Sequence, residues 1–194
     1  MVYRIIKKEV LQMAIIEEYN KLLVDITTEF PDFEIVSKND SKLMKIIDIA
    51  LKIITFGQMK VFMTSFITTM GNKIYVPSDW DQYPIISKAS VLRHERIHMR
   101  QAKKYGRFIF SALYLLAPFP IGIAYFRKKF EQEAYEESLK TIYEWRGLKM
   151  LESPELKERT LYHFTSAEYF WMWPFRKNLE SWYDGVVSKI KSGN

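Results

Sequence analysis

Val91-Leu92-Arg93-His94-Glu95-Arg96-Ile97-His98-Met99-Arg100-Gln101 is the stretch around which the chain is organised. It contains His-Glu-x-x-His. On a helix, side chains four apart lie one above the other, so His94 and His98 can present two imidazole nitrogens to one ion. Glu95 lies about 100° round the helix from His94, close enough to act on a water beside that ion without being a ligand. Two nitrogen ligands, an open side and a carboxylate base are the parts that zinc-dependent hydrolysis requires. A third ligand, a helical setting and a cleft must come from elsewhere in the chain.

Composition narrows the setting. A chain of 194 residues is long enough to bury one proper core, and the expectation is a single domain over 1–194. The chain has no cysteine, which excludes disulfides and thiolate ligands, so any metal must be held by His and carboxylate. The net charge of +6 would suit an acidic partner, but Lys and Arg are scattered and no recognised module accompanies them, so nucleic acid is not the expected partner. The first residues, Met1-Val-Tyr-Arg-Ile-Ile-Lys-Lys-Glu9, carry charges without the long apolar core of a signal peptide, and a cytoplasmic location is expected. The one long apolar run, 108–126, is cut by Pro118-Phe119-Pro120 into pieces too short to span a bilayer. Buried helices or a peripheral membrane contact through 108–126 both remain open.

Periodicity divides the chain into four parts. Over 1–57 two helices are expected. The first, 5–28, has Val10, Leu11, Ala14, Ile15, Leu22 and Ile26 as its apolar face. The second starts from Ser41 as N-cap, has Leu43, Ile46, Ile47, Ala50, Leu51 and Ile54 as its face, and is closed by Gly57. Over 58–80 the β-branched runs 60–70 and 73–77 flank Gly71-Asn72 and predict a β-hairpin, with Pro77 ending the second strand or leaving it at a sheet edge. Such an edge would either take an extended peptide by strand addition or be covered by a loop. Over 87–147 come the His-Glu-x-x-His helix, with Ser87 as N-cap and Gly106 after its last turn, then the apolar hairpin and a helix over 121–146 stopped by Gly147. Over 148–194 two more helices follow, the first with Ser153 as N-cap and Pro154 at N1, the last lined by Leu179, Trp182, Tyr183, Val186 and Ile190.

Helical phase selects the third ligand. In the first of the two helices, Val91, His94, Glu95, His98, Gln101, Ala102 and Tyr105 share a face, away from Arg93, Arg96 and Arg100. On the 121–146 helix, Phe130, Ala134, Tyr135, Leu139, Ile142 and Trp145 form an apolar arc with Glu131 and Ser138 near its centre. Glu137 falls at the margin and Glu133 nearly opposite. A carboxylate in the middle of an apolar face is costly unless protonated, paired or metal-bound, so Glu131 is the expected ligand. Gln101, one turn beyond His98, either orients a ligand, touches substrate or is structural. In the aromatic stretch 163–175, His163 or Tyr169 would either pack in the core or reach over the metal as a donor.

His94-Glu-Arg-Ile-His98, followed by Glu131-x-x-Ala134, resembles the gluzincin metallopeptidases over about 74–137, most closely the CaaX-prenyl-protease-like zincins and small single-domain relatives in bacteria and phages. The resemblance implies a mainly helical α+β, zincin-like fold with a small sheet beside the His-Glu-x-x-His helix. It also implies one Zn²⁺ ion held by His94, His98 and Glu131, and hydrolysis of a peptide or protein substrate by a metal-activated water with Glu95 as general base. Two departures stand out. Tyr135 follows Ala134 where many relatives have an acidic residue, and the pair Glu133-Ala134 fits the thermolysin-like spacing, which keeps Glu133 as the alternative ligand. A non-catalytic metal-binding scaffold, or a membrane-surface interaction protein of the same fold, is the other reading of these residues.

Overall fold

The computed structural model describes residues 2–115, 124–166 and 172–193, without the side chains of residues 2–9, Leu11 and Leu115. The protein is mainly helical α+β: among the described residues, eight α-helices accompany one three-stranded sheet. It divides into two compact units, residues 1–92 and 93–194, and the division falls inside one continuous helix.

The first unit opens with helix α1 (Val2–Glu29). Only its last turns bury the expected face, through Leu22 and Ile26, while Val10 and Ala14 on that face are exposed. Strand β1 (Glu34–Ser37) follows, in a stretch read from sequence as helices and their connection. Glu34-Ile-Val-Ser37 is short but β-branched at its centre, and the partner that makes it a strand lies 39 residues further on: it pairs in parallel with β3 (Lys73–Val76), Ile35 opposite Ile74. Strand β2 (Thr68–Met70) pairs antiparallel with β3 across Gly71-Asn72, Gly71 taking φ 64°. The order β1-β3-β2 puts β3 in the centre, so of the two expectations for Pro77 the structure has it end the strand after Val76 and not leave that strand at an edge.

Helix α2 (Lys42–Ile54) begins at Ser41, whose hydroxyl accepts from the Met44 backbone N–H, as the sequence suggested. Its phase differs from expectation. Met44 and Asp48 are buried, Ile47 and Leu51 are partly buried, and Leu43, Ile46 and Ile54 are exposed. The reason lies in residues 58–67, which form turns rather than the long first strand of a hairpin. Buried Met59 and Phe62 meet Met44 and Tyr75 in a small core. Lys38, wholly buried, donates Nζ to the Phe62 carbonyl at 2.7 Å with the Phe62 ring 3.7 Å away, holding that turn closed.

Helix α3 (Ile85–Tyr105) starts right after Pro84, so Ser87 sits inside it and is not its cap. Gly106 ends it at φ 83°, a left-handed residue that lets the chain turn into α4 (Arg107–Leu115). The second unit continues with α5 (Tyr125–Arg146), α6 (Leu148–Leu151), α7 (Pro154–Thr165) and α8 (Arg176–Lys191). Residues 121–123, the expected start of the α5 helix, and the Pro118-Phe119-Pro120 turn lie outside the described residues. Ser153 caps α7 by accepting from Leu156 N–H, with Pro154 at its first turn. Leu139, Leu151, Leu161, Phe164, Leu179, Tyr183 and Val186 form the core of this unit, and the Tyr183 hydroxyl donates to the Leu151 carbonyl at 3.0 Å. Among the described residues no helix is long and apolar enough to cross a membrane.

On α7, Leu161 is fully buried while its neighbour Tyr162 is 48% exposed. Leu161→Ala is expected to cost about 2–5 kcal/mol in urea unfolding. Tyr162→Ala should stay within about 0.5 kcal/mol. Equal losses would mean that α7 is rotated from this phase.

Candidate metal centre

Residues of two helices, all within the second unit, build the site. α3 supplies His94 and His98, stacked by one turn, and α5 supplies Glu131. Each offers one ligand atom, and the three atoms lie within 4.8 Å of one another. The two Nε2 atoms are 3.2 Å apart, Glu131 Oε2 is 3.3 Å from His94 Nε2, and Glu131 Oε1 is 3.5 Å from His98 Nε2. His98 and Glu131 are buried, and His94 is partly so. The group can hold a metal ion.

The second ring of hydrogen bonds decides which imidazole nitrogen faces the centre. Gln101 donates Nε2 to the Phe130 carbonyl at 3.1 Å and to Glu133 Oε2 at 2.9 Å, which turns its own oxygen towards His98. His98 Nδ1 then donates to that oxygen at 2.9 Å, which turns Nε2 inward. His94 Nδ1 meets Ser138 Oγ at 3.2 Å, and that hydroxyl donates to the Ala134 carbonyl, so His94 likewise presents Nε2. A serine hydroxyl at 138 thus contacts His94, while Tyr135 packs edge-on against its ring with centroids 4.8 Å apart.

Charge within the group is tightly coupled. Burial alone would lower the pKa of His98, but the Glu131 carboxylate beside it overrides this and raises it to about 9. Burial would raise Glu131, and the His98 and His94 imidazoles instead hold it well below the usual carboxylate range. Tyr114 on α4 donates its hydroxyl to Glu131 Oε1, and burial and that carboxylate together push the phenol well above its ordinary pKa. The Arg127 guanidinium lies 5.1 Å from the Tyr114 ring centre.

The structure brings His94, His98 and Glu131 together, with Glu95 buried on α3 beside them in sequence. Glu133 is exposed and its carboxylate accepts from Gln101, outside the three-ligand group. His163 stacks on Tyr135 with centroids 5.6 Å apart and is likewise outside the group. Tyr169 lies outside the described residues. Sequence reasoning missed Tyr114, although a hydroxyl in a strongly apolar run is itself a sign of a buried polar partner. Comparison of the chain with protein-family models, with curated proteins and with solved structures gives no match.

Two outcomes follow for the ion. Glu131→Ala should abolish stoichiometric metal uptake, and Gln101→Ala should weaken it about 10–100-fold by releasing the His98 ring. Glu133→Ala should retain the ion, as measured by elemental analysis after dialysis. Because the ion-free protein keeps a proton on His98 up to about pH 9, an incoming metal must displace it. Apparent affinity, titrated against a competing chelator, should therefore rise roughly tenfold per pH unit from neutrality and level off near pH 9. A flat profile would mean that no proton is displaced.

Proposed function

We propose that the protein is a zinc metallopeptidase of the gluzincin type, with His94, His98 and Glu131 as ligands and Glu95 as general base. The observation that carries this reading is the convergence of the three groups: the two Nε2 atoms are 3.2 Å apart, and the two Glu131 oxygens lie 3.3 Å from His94 and 3.5 Å from His98, one on each ring. Three corners of a tetrahedron around an ion bonded at 2.0–2.1 Å are spaced by about 3.3–3.4 Å. Two imidazoles with one carboxylate also favour zinc over the oxygen-seeking calcium and magnesium. Three protein ligands leave a fourth position open, the pattern of catalytic rather than structural zinc.

When bound, zinc would supply Lewis-acid activation of water and polarisation of a substrate carbonyl. The chain's own residues would do the rest. Glu95 accepts the proton of the attacking water at a carboxylate oxygen and returns it to the nitrogen of the leaving amine. His98 is held in one tautomer by Gln101, and His94 by Ser138, so neither ring must reorient during turnover. Tyr114 fixes one oxygen of Glu131 by donating to it, which limits how that carboxylate can swing. A structural ion would have no need of a buried carboxylate next to His94, and this favours the enzyme over a metal-binding scaffold.

Glu95→Gln keeps the shape of the side chain but removes its basicity. The variant should retain one zinc per chain and the wild-type melting profile while losing about 10²–10⁴-fold in peptide cleavage. Cleavage by the Gln variant at the wild-type rate would refute the mechanism. A zinc-loaded wild type that cleaves nothing across a broad peptide library would favour the scaffold.

A further inference from the structure

Helix α2 buries one side and leaves the other bare. Met44 and Asp48 face inward, with Ile47 and Leu51 packed against the small core. On the opposite side Leu43, Ile46, Ile49, Ile53 and Ile54 are between 45% and 70% exposed. At about 100° per residue these five positions fall within one continuous arc of roughly 140°. Isolated exposed aliphatic residues are ordinary, but five on one arc of a single 13-residue helix are not.

Phe56 extends this face. It is 94% exposed and has φ 50°, a left-handed conformation that is a steric outlier for a bulky residue, and Gly57 follows at φ 79°. The turn is hydrogen-bonded, Phe56 N–H donating to the Ile53 carbonyl at 3.2 Å and Gly57 N–H to the Lys52 carbonyl at 2.6 Å. The backbone therefore holds a large aromatic ring out in solvent at a conformational cost.

Charge identifies the occupant. Between residues 42 and 60 the charged side chains are Lys42, Lys45, Asp48, Lys52 and Lys60. All four lysines are exposed, whereas the one acid, Asp48, is buried and bound to Lys52 at 2.6 Å. Asp40, in the short turn before the helix, is the nearest exposed acid upstream. Protein interfaces are enriched in Tyr, Trp, Met and Arg and depleted in Lys. This face has aliphatic side chains and one Phe, bordered by Lys, which is the composition of a helix lying in the plane of an anionic membrane surface. Lysine stems can extend along the apolar boundary with their ammonium groups among the head groups.

We propose that the outer face of α2, with Phe56, docks on an anionic lipid surface, the aliphatic residues entering the acyl boundary and Lys42, Lys45 and Lys60 meeting the head groups. The proposal stands apart from the metal centre, since every residue it uses lies within residues 1–92.

The test uses the full chain with vesicles of phosphatidylcholine alone and with about 30% phosphatidylserine, enough to set up an attractive surface potential. Flotation with the anionic vesicles, weakening as salt rises, is the expected result. Ile46→Asp with Ile53→Asp should abolish it without changing the melting profile, because both side chains are exposed. Lys42→Gln with Lys45→Gln should lower partitioning roughly 25-fold, about fivefold per lysine. As the chain has no cysteine, Ile49→Cys can carry a polarity-sensitive dye, whose emission should shift to the blue on anionic vesicles. Wild type that stays with the soluble fraction, or a folded double-Asp variant that floats like wild type, would overturn the proposal. So would a concentration-dependent dimer dispersed by the Asp substitutions without vesicle binding, which would assign the face to a second copy of the chain.

Discussion

A buried carboxylate governs the second half of the molecule. Glu131 sits on α5 among Phe130, Ala134 and the helix's other buried side chains, where an unpaired negative charge would be strongly unfavourable. Two imidazoles and a phenol answer it, each from a different turn or helix: His94 and His98 from α3 and Tyr114 from α4. Meeting those three groups fixes the rotation of α5 and the register of α3 against it. Gln101 then ties the same pair of helices from the other side, through the Phe130 carbonyl and Glu133. Arg93 completes the clasp by reaching Thr141 and Glu144 further along α5. The arrangement is polar, satisfied and largely enclosed, the condition under which a buried network specifies one packing.

What the sequence disclosed depended on how local the determining interaction was. Helical phase placed Glu131 inside and Glu133 outside because a 22-residue helix averages many side chains into one unambiguous face. Ser41 and Ser153 were legible as caps because a cap bonds its own helix three residues on. Strand β1 was not legible, since four residues acquire strand identity only from β3, which lies far along the chain. The stretch 60–67 resembles a strand in sequence for a related reason. Its β-branched and aromatic residues match strand propensity, but Phe62 is committed to a core with Met44 and its carbonyl to Lys38. Helix α2 failed in another way. Its apolar residues cover an arc wider than its neighbours can bury, and only the edge with Met44, Ile47 and Leu51 meets the core. Helices α1 and α2 show that an apolar stripe predicts burial only when something is present to cover it.

The site's second ring shows why a short motif underdetermines a centre. His-Glu-x-x-His places two rings on one face, but the direction of each ring nitrogen depends on Gln101, three residues past His98, and on Ser138 in a different helix. Gln101 reports its role only through its two acceptors on α5. Turning its amide over would put an oxygen against the Phe130 carbonyl and Glu133, so those acceptors determine the tautomer of His98 at one remove. A charge on Glu133 therefore contributes to the centre without approaching it, which is the sense in which both glutamates of the Glu131-Gln-Glu133 run belong to the site.

The ion-free protein already has an electrostatic solution of its own. Glu131 is held well below the usual carboxylate range and His98 up to about 9, so near neutrality a proton on the imidazole supplies the positive charge that the carboxylate needs. A divalent metal ion would replace that proton at the same place and add one further unit of charge, with the same three ligand atoms already within 4.8 Å. Without a metal, that proton would balance the buried carboxylate in its place. This differs from small zinc-dependent domains, in which ligand repulsion keeps the ion-free chain unfolded and metal binding is the folding reaction itself. Here the core of Leu139, Leu151, Leu161 and Phe164 reaches the centre through Tyr135, which packs on that core and edge-on against the His94 ring.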